Sequence, residues 1–297
     1  MTVLEKQPPG SLVSVIVPVF NDKAGLQACL RALCEQAYPK FEVIVVDNGS
    51  SPPIVLPAEH FPFIARIVVC RNPGSYAARN AGVNAATGQI LAFTDADCTP
   101  AAAWIERGVA ALANDERVIV GGNVLFDSPK VRSGTELYQY ETGFQQRENI
   151  EEKQFSATAN LFCTSAQFRA IGAFEEKLLS GGDREWAWRA RLHGYRFVFA
   201  EDALVHTPAR TSLRSAIRQA RRVAAGRMQL KALRLDHLGQ FALQPHRSGW
   251  QVVSWIMTRR SRSLPERVRM LAAATAIKVA TMLEGIRLRL GGTPERR

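Results

Sequence analysis

The sequence predicts an α/β fold: a mostly parallel β-sheet flanked by helices, followed by a basic, mainly helical C-terminal region. Three observations carry this. Four short runs in the first hundred residues are continuously apolar, as strands buried on both faces are, whereas half-exposed strands alternate. Helical spacing fills two of the gaps between those runs. Charge then changes along the chain: residues 204–297 hold 19 basic and 4 acidic residues, while residues 1–203 hold 19 basic and 23 acidic.

The elements follow in order. Residues 12–20 (LVSVIVPVF), 41–47 (FEVIVVD), 65–70 (ARIVVC) and 89–95 (QILAFTD) read as strands. Residues 23–37 and 75–86 read as the helices between them, with Gly88 placed as a C-cap glycine. The βαβ alternation implies right-handed crossovers. Beyond Asp97 the pattern changes. Residues 100–113 read as a helix with Pro100 in its first turn. Residues 118–126, with Gly121-Gly122 inside, read as a strand, and so do 155–164 and 195–200. Residues 133–153 are polar and partly helical without a clear core face, and 183–193 form a helix closed by Gly194. From Thr211 onward only helices are expected, over 212–235, 250–258 and 265–290.

The chain has 297 residues, 46% of them hydrophobic, enough for a sizeable core. Its five cysteines show no CxxC or Cys/His metal spacing and suit a reducing compartment. Residues 1–10 lack the apolar stretch of a signal peptide, and no run reaches 18 apolar residues. The expectation is therefore a cytoplasmic protein, with peripheral attachment to the inner face of the plasma membrane as an option.

In open α/β sheets, ligands bind beyond the carboxyl ends of the strands. Those ends carry Pro18-Val19-Phe20-Asn21, Asp47-Asn48-Gly49-Ser50, Asn72-Pro73-Gly74-Ser75 leading into Arg79-Asn80, and Asp95-Ala96-Asp97. Four polar strand ends thus converge on one sheet edge. Neither GxGxxG after the first strand nor GxxxxGK[ST] anywhere is present. If phosphates bind, Asp95 and Asp97 could hold a hard cation such as Mg²⁺ or Mn²⁺ that bridges to them. The same Asp-X-Asp also suits a plain turn. Downstream, Ser180-Gly181-Gly182-Asp183 lets a backbone approach a substrate closely, or gives Asp183 a helix N-cap role. His206 follows an apolar segment and reads equally as structural.

Taken together, VSVIVPVFND, VIVVDNGS, NPGSYAARNAG, ILAFTDADC and SGGDREWAWRARLHGYRF resemble the successive motifs of bacterial family 2 glycosyltransferases. The resemblance covers roughly residues 12–210 and implies the GT-A fold of inverting nucleotide-diphospho-sugar transferases. A catalytic domain would span 1–210, with a donor half at about 12–100 and an acceptor half at about 101–210. A basic helical region would span 211–297. The resemblance places Pro18 and Asn21 in the first nucleotide loop. It sets Asp47, with Asn48 beside it, against the donor's base or ribose, and Arg79 near the donor. Asp95 and Asp97 become the DxD pair for metal and diphosphate. Asp183 becomes the catalytic base, and His206, more weakly, a metal-side residue. Two departures stand out. Asn48 replaces the second Asp of DDGS, and Gly182 stands where Glu usually precedes the catalytic Asp. Glu185 would either stand in for that Glu or face solvent.

The implied reaction is a single in-line displacement. Asp183 takes the proton of an acceptor hydroxyl, and the diphosphate leaves from the opposite face of the sugar. The acceptor, a glycan or lipid-linked molecule, is expected near Gly121, Gly122, Glu185, Trp186 and the segment 133–153. The basic C-terminal third suggests an anionic membrane surface, with Trp250, Trp255 and Ile256 at headgroup level. Packing on the catalytic domain with a solvated basic face is the plainer account. Nucleic acid is disfavoured, since no helix-turn-helix, zinc finger or aromatic-interleaved basic strand occurs. The rival functions are a sugar-nucleotide binder without catalysis and a sugar-phosphate nucleotidyltransferase; the second lacks its glycine-rich nucleotide loop.

Overall fold

Three of the four continuous apolar runs become strands covered on both faces, while the third, expected to be buried likewise, forms the edge strand of the sheet and is only partly covered. The structure, a computed structural model, describes residues 10–56, 61–112, 115–233, 249–259 and 261–294. Strands β1 (Val13–Val19), β2 (Phe41–Asp47), β3 (Ile64–Val69) and β4 (Ile90–Thr94) alternate with helices α1 (Lys23–Cys34) and α2 (Ser75–Ala85). Next come β5 (Thr99–Pro100), α3 (Trp104–Leu112), β6 (Val118–Phe126), α4 (Gly134–Thr142), α5 (Gln146–Glu151), β7 (Asn160–Thr164) and α6 (Ser165–Ile171). Helix α7 (Gly182–Leu192), strand β8 (Arg196–Thr207) and helices α8 (Leu213–Ala232), α9 (Gly249–Met257) and α10 (Leu264–Arg289) complete the order.

One eight-stranded sheet runs β3-β2-β1-β4-β7-β6-β8-β5. β1 pairs in parallel with β2 and β4, and β2 with β3. The later strands join antiparallel, through β4–β7, β6–β7 and β5–β8. The parallel part therefore presents the carboxyl ends of β1, β2 and β4 side by side. β7 begins at that same edge, with Asn160 paired to Thr94.

Several sequence expectations shift. Pro100 lies in β5, and helix α3 begins only at Trp104. The expected end of that helix at Ala113 lies outside the described residues. The strand expected over 155–164 is confined to β7, and a helix the periodicity did not reveal, α6, follows it directly. A capping box explains its start: Thr164 accepts from the Gln167 amide while the Gln167 side chain accepts from the Thr164 amide. β8 runs seven residues beyond the expected end at 200, because exposed Glu201 and Asp202 interrupt its apolar pattern but not its pairing. Leu235, the expected end of the long basic helix, lies outside the described residues.

The chain divides into two compact units. The first comprises residues 1–125, 145–177 and 182–207, and holds the sheet. The second comprises residues 126–144, 178–181 and 208–297, and among its described residues the regular elements lying wholly within it are helices. Its core joins Leu137, Ile256, Met270 and Ala274, with Tyr138, Val252, Trp255 and Leu271 packed against them. Trp255 and Ile256 therefore do not sit at a headgroup level as expected. Ile256 is fully buried, and Trp255 meets Tyr138 edge-on at 6.4 Å. Buried glutamates brace this unit. Glu266 closes a capping box on Ser263 and pairs with Arg132, and Glu284 pairs with Arg221 and Arg287.

Candidate functional site

The polar strand ends become a set of braced loops. After β1, Asn21 adopts a left-handed conformation (φ 52°). Its amide donates to Ser50 Oγ at 2.9 Å, and its side-chain oxygen accepts from the Ser51 amide at 2.8 Å. Pro18 is half-buried within β1 opposite Val46. After β2, the buried Asp47 accepts from the amides of Ser50 (2.9 Å) and Ile54 (3.1 Å). Burial pushes this carboxyl up, but the hydrogen bonds from Ser50, Ile54 and Gly49 outweigh it and hold the group below the usual carboxylate range. Asn48 ties the loop after β3 in place. It donates to the carbonyls of Cys70 (3.2 Å) and Asn72 (2.7 Å), and accepts from the Gly74 amide at 2.8 Å. An amide, unlike the Asp usual in DDGS, can donate to two carbonyls and still accept. Asp47 and Asn48 thus shape the loops through which a donor would be held.

The carboxylates at the end of β4 carry the charge. Asp95 pairs with the guanidinium of Arg79, which comes from α2 and is buried. Arg79 Nε and the neighbouring Thr94 Oγ1 are buried without a hydrogen-bond partner among the described residues. Beneath the pair, burial and then the negative charge of Asp97 and Asp95 push the Cys29 thiol upward, and Cys98 behaves likewise. The two carboxylates thus act on the same buried thiols. Strand pairing sets His206 opposite Thr99, two residues beyond Asp97.

Helix α2 links this cluster to Asp183. Tyr76 lies one turn before Arg79, whose guanidinium stands 5.8 Å from the centre of its ring. The ring abuts Gly182, and burial followed by the negative charge of Asp183 pushes its phenol up. Asp183 begins α7 and accepts from the Arg184 amide at 2.8 Å. Burial pushes its carboxyl up, and the Arg184 amide with the Arg184 and Arg79 charges only partly offsets this. The group sits above the usual Asp range. Asp95, Arg79, Tyr76 and Asp183 therefore form one connected series. Tyr76 has only a faint sequence signal, its three-residue spacing from Arg79.

Other expected site residues have different work. Trp186 is fully buried among Phe168, Phe174 and Phe197, and its indole nitrogen donates to the Gly172 carbonyl at 2.9 Å. It is a core residue, not an acceptor contact. Glu185 neither replaces a carboxylate beside the base nor faces solvent. It is buried and accepts from the Nε and Nη2 edge of the Arg189 guanidinium, at 2.6 and 2.9 Å. Arg189 in turn donates to the carbonyls of Ile171 and Ala173, so this pair pins the chain just before Phe174. Gly121 and Gly122 are buried in β6, where an added Cβ would strike Ile150 and Ser156, or the Ala203 carbonyl and Asn160. Packing accounts for both glycines. The segment 133–153 also has a core face, since Leu137 and Ile150 are fully buried.

The metal expectation can be tested against these groups. No three His, Cys, Asp or Glu side chains come together as a metal-holding group among the described residues. The residues present fit instead a cation held by one or two carboxylates and completed by ligand phosphates, the usual way Mg²⁺ is bound. No helix among the described residues is long and apolar enough to cross a membrane.

Comparison with known proteins identifies the family and the fold. Residues 14–173 match the family described as glycosyl transferase family 2. The chain is 40% identical over 204 residues to glycosyltransferase AglE of Haloferax volcanii, covering 67% of each chain. It is 28% identical over 275 residues to the pre-mycofactocin glycosyltransferase of Mycobacterium tuberculosis, covering 86% of this chain and 55% of that one. It thus spans about half the length of the latter relative. Among solved structures, the mannosyltransferase PcManGT of Pyrobaculum calidifontis, in complex with GDP-Man and Mn²⁺, superposes with a TM-score of 0.60. The identity is 20%, over 91% of this chain and 86% of that one.

Proposed function

Since the chain belongs to glycosyl transferase family 2 and has its GT-A fold, we propose that it transfers a sugar, with inversion, from a nucleotide-diphospho-sugar to a hydroxyl of a glycan or lipid-linked acceptor. The carrying observation is the series from Asp95 through Arg79 and Tyr76 to Asp183. It puts a carboxyl group with raised proton affinity at one end and a negatively charged strand end at the other.

In this reading Asp183 accepts the acceptor's proton as the hydroxyl oxygen attacks the anomeric carbon, a contribution of about 10²–10⁴-fold. The bond to the diphosphate breaks on the opposite face, so one displacement inverts the centre and no enzyme-bound sugar forms. Asp95 and Asp97, with His206 nearby, would hold Mg²⁺ or Mn²⁺, and that ion would neutralise charge on the departing diphosphate. Arg79 fixes the Asp95 carboxylate. The loops braced by Asn21, Asp47 and Asn48 form the donor side together with Pro18. The PcManGT complex with GDP-Man and Mn²⁺ supports the donor and metal classes.

A thermal-shift panel tests this with UDP, GDP, dTDP and CDP, each with and without Mn²⁺ or Mg²⁺, on wild type and Asp97→Asn. A ligand that binds only the folded chain raises Tm by mass action. One nucleotide should raise Tm in a metal-dependent way in wild type but not in Asp97→Asn. No shift with any nucleotide would overturn the donor assignment.

A further inference from the structure

Helix α10 is apolar on two opposite faces. The inner face carries Met270, Ala273 and Ala274, all buried, two of them in the core of the helical unit. The other face carries Leu264, Val268, Val279, Met282, Leu283 and Ile286, with Leu290 just beyond the last turn, and every one of these is exposed. Steps of three, four and eleven residues keep them in one stripe, with exposed Ala272 and Thr275 filling the gap between Val268 and Val279. At about 1.5 Å per residue the helix is about 39 Å long, so the stripe extends over more than a single contact patch. On the same unit, Trp250 is 85% exposed.

Charge is sorted just as strictly. The acidic residues of α10 are Glu266 and Glu284, and both are buried and paired with arginines. Arg267, Arg269, Lys278, Arg287 and Arg289 flank the stripe. Helix α8 adds Arg214, Arg218, Arg221, Arg222, Arg227 and Lys231 without an acidic residue. A long apolar stripe between cations fits an interface that is itself apolar below and anionic above. A second copy of this chain would bring the same positive charge against it.

We propose that the outward face of α10, from Leu264 to Leu290, lies on an anionic lipid surface, with its apolar side chains among the acyl chains and its Arg and Lys side chains at the phosphate level. A helix with these features lies in the interfacial plane and does not span the bilayer. The proposal deepens the lipid-linked acceptor reading and in that respect rests on it, while the binding itself needs no sugar donor.

The test uses the whole chain and co-sedimentation with vesicles. One set is pure phosphatidylcholine; the other contains about one third phosphatidylglycerol. Wild type should favour the anionic vesicles by about tenfold or more, and about 0.5 M salt should weaken that preference. Met282→Asp/Ile286→Asp and, separately, Lys278→Glu/Arg289→Glu should each lower binding by about tenfold. These side chains are exposed, so Tm should stay unchanged, and the nucleotide thermal shift on the same samples reports independently on the donor site. Equal binding to both vesicle types, or variants that bind as wild type does, would overturn the proposal. So would a wild-type dimer that ignores vesicles and that Met282→Asp/Ile286→Asp dissociates; the stripe would then belong to a second copy.

Discussion

The ring of Tyr76 fills the space that a side chain at residue 182 would need. A Cβ built on Gly182 falls 2.7 Å from Tyr76 Cε2 and 2.8 Å from Cζ. Where family 2 enzymes usually carry Glu before the catalytic Asp, this chain has Gly182 and packs the Tyr76 ring from α2 against it. The missing carboxylate and the tyrosine are two sides of one packing solution.

That complementarity predicts non-additive mutants. Gly182→Glu overpacks the site and should cost about 1–3 kcal/mol. Tyr76→Ala added to it should recover part of the loss, a coupling that a double-mutant cycle on Tm or denaturant midpoints measures. Tyr76→Phe keeps the ring and removes the hydroxyl. It should lower kcat by roughly tenfold, since the phenol lies within electrostatic reach of the Asp183 carboxyl. Additive stabilities and an unchanged kcat would show that the two residues are independent.

Asp183→Asn should reduce transfer by about 10²–10⁴-fold. It should also raise Tm at neutral pH. The folded-state pKa of Asp183 is raised, so its protonated form favours folding and its ionised form opposes it. Wild type loses that contribution as pH rises from the usual Asp range through the raised value. The advantage of Asp183→Asn should therefore be full above the raised value and vanish below the usual Asp range. In wild type, kcat/KM should fall as pH drops through the same raised value.

Asp95→Asn should destabilise the fold more than Asp97→Asn. Arg79 is only 4% exposed, so removing Asp95 strands a buried cation. Because the Asp95 carboxylate itself is 38% exposed, solvent already screens the pair, and about 1–3 kcal/mol is expected. Chemical denaturation of the two variants without added metal separates them.

Trp186→Phe should cost stability through lost packing and the lost bond to Gly172, and leave the acceptor KM unchanged. A raised KM at wild-type stability would restore Trp186 to the acceptor side.

Much of the first hundred residues is legible in the sequence because burial on both faces leaves an unbroken apolar run, as in β1, β2 and β4. β3 is legible for its Ile and Val content although it is only partly covered. α6 was masked by the apolar run that precedes it, and only Thr164 and Gln167, three apart, mark its start. The carboxylates at the strand end could be picked out because Asp is out of place after an apolar run, and Asp183 because two glycines precede it. Trp186 and Glu185 misled. Polar and aromatic residues at a helix start resemble a site until Arg189, one turn on, is seen to claim the glutamate. Tyr76 was hidden because its significance depends on residue 182, more than a hundred positions away.

The inward glutamates of α10 have one more consequence. The Ser263 amide and the Arg132 guanidinium hold Glu266 down to about 2, and Arg287 and Arg221 hold Glu284 below the usual range. Every other ionisable group on this helix is Arg or Lys. Both carboxyls therefore stay ionised and committed to their inward partners at pH values above the ordinary carboxylate range. An acid-sensitive attachment at such pH would not arise from these glutamates turning outward.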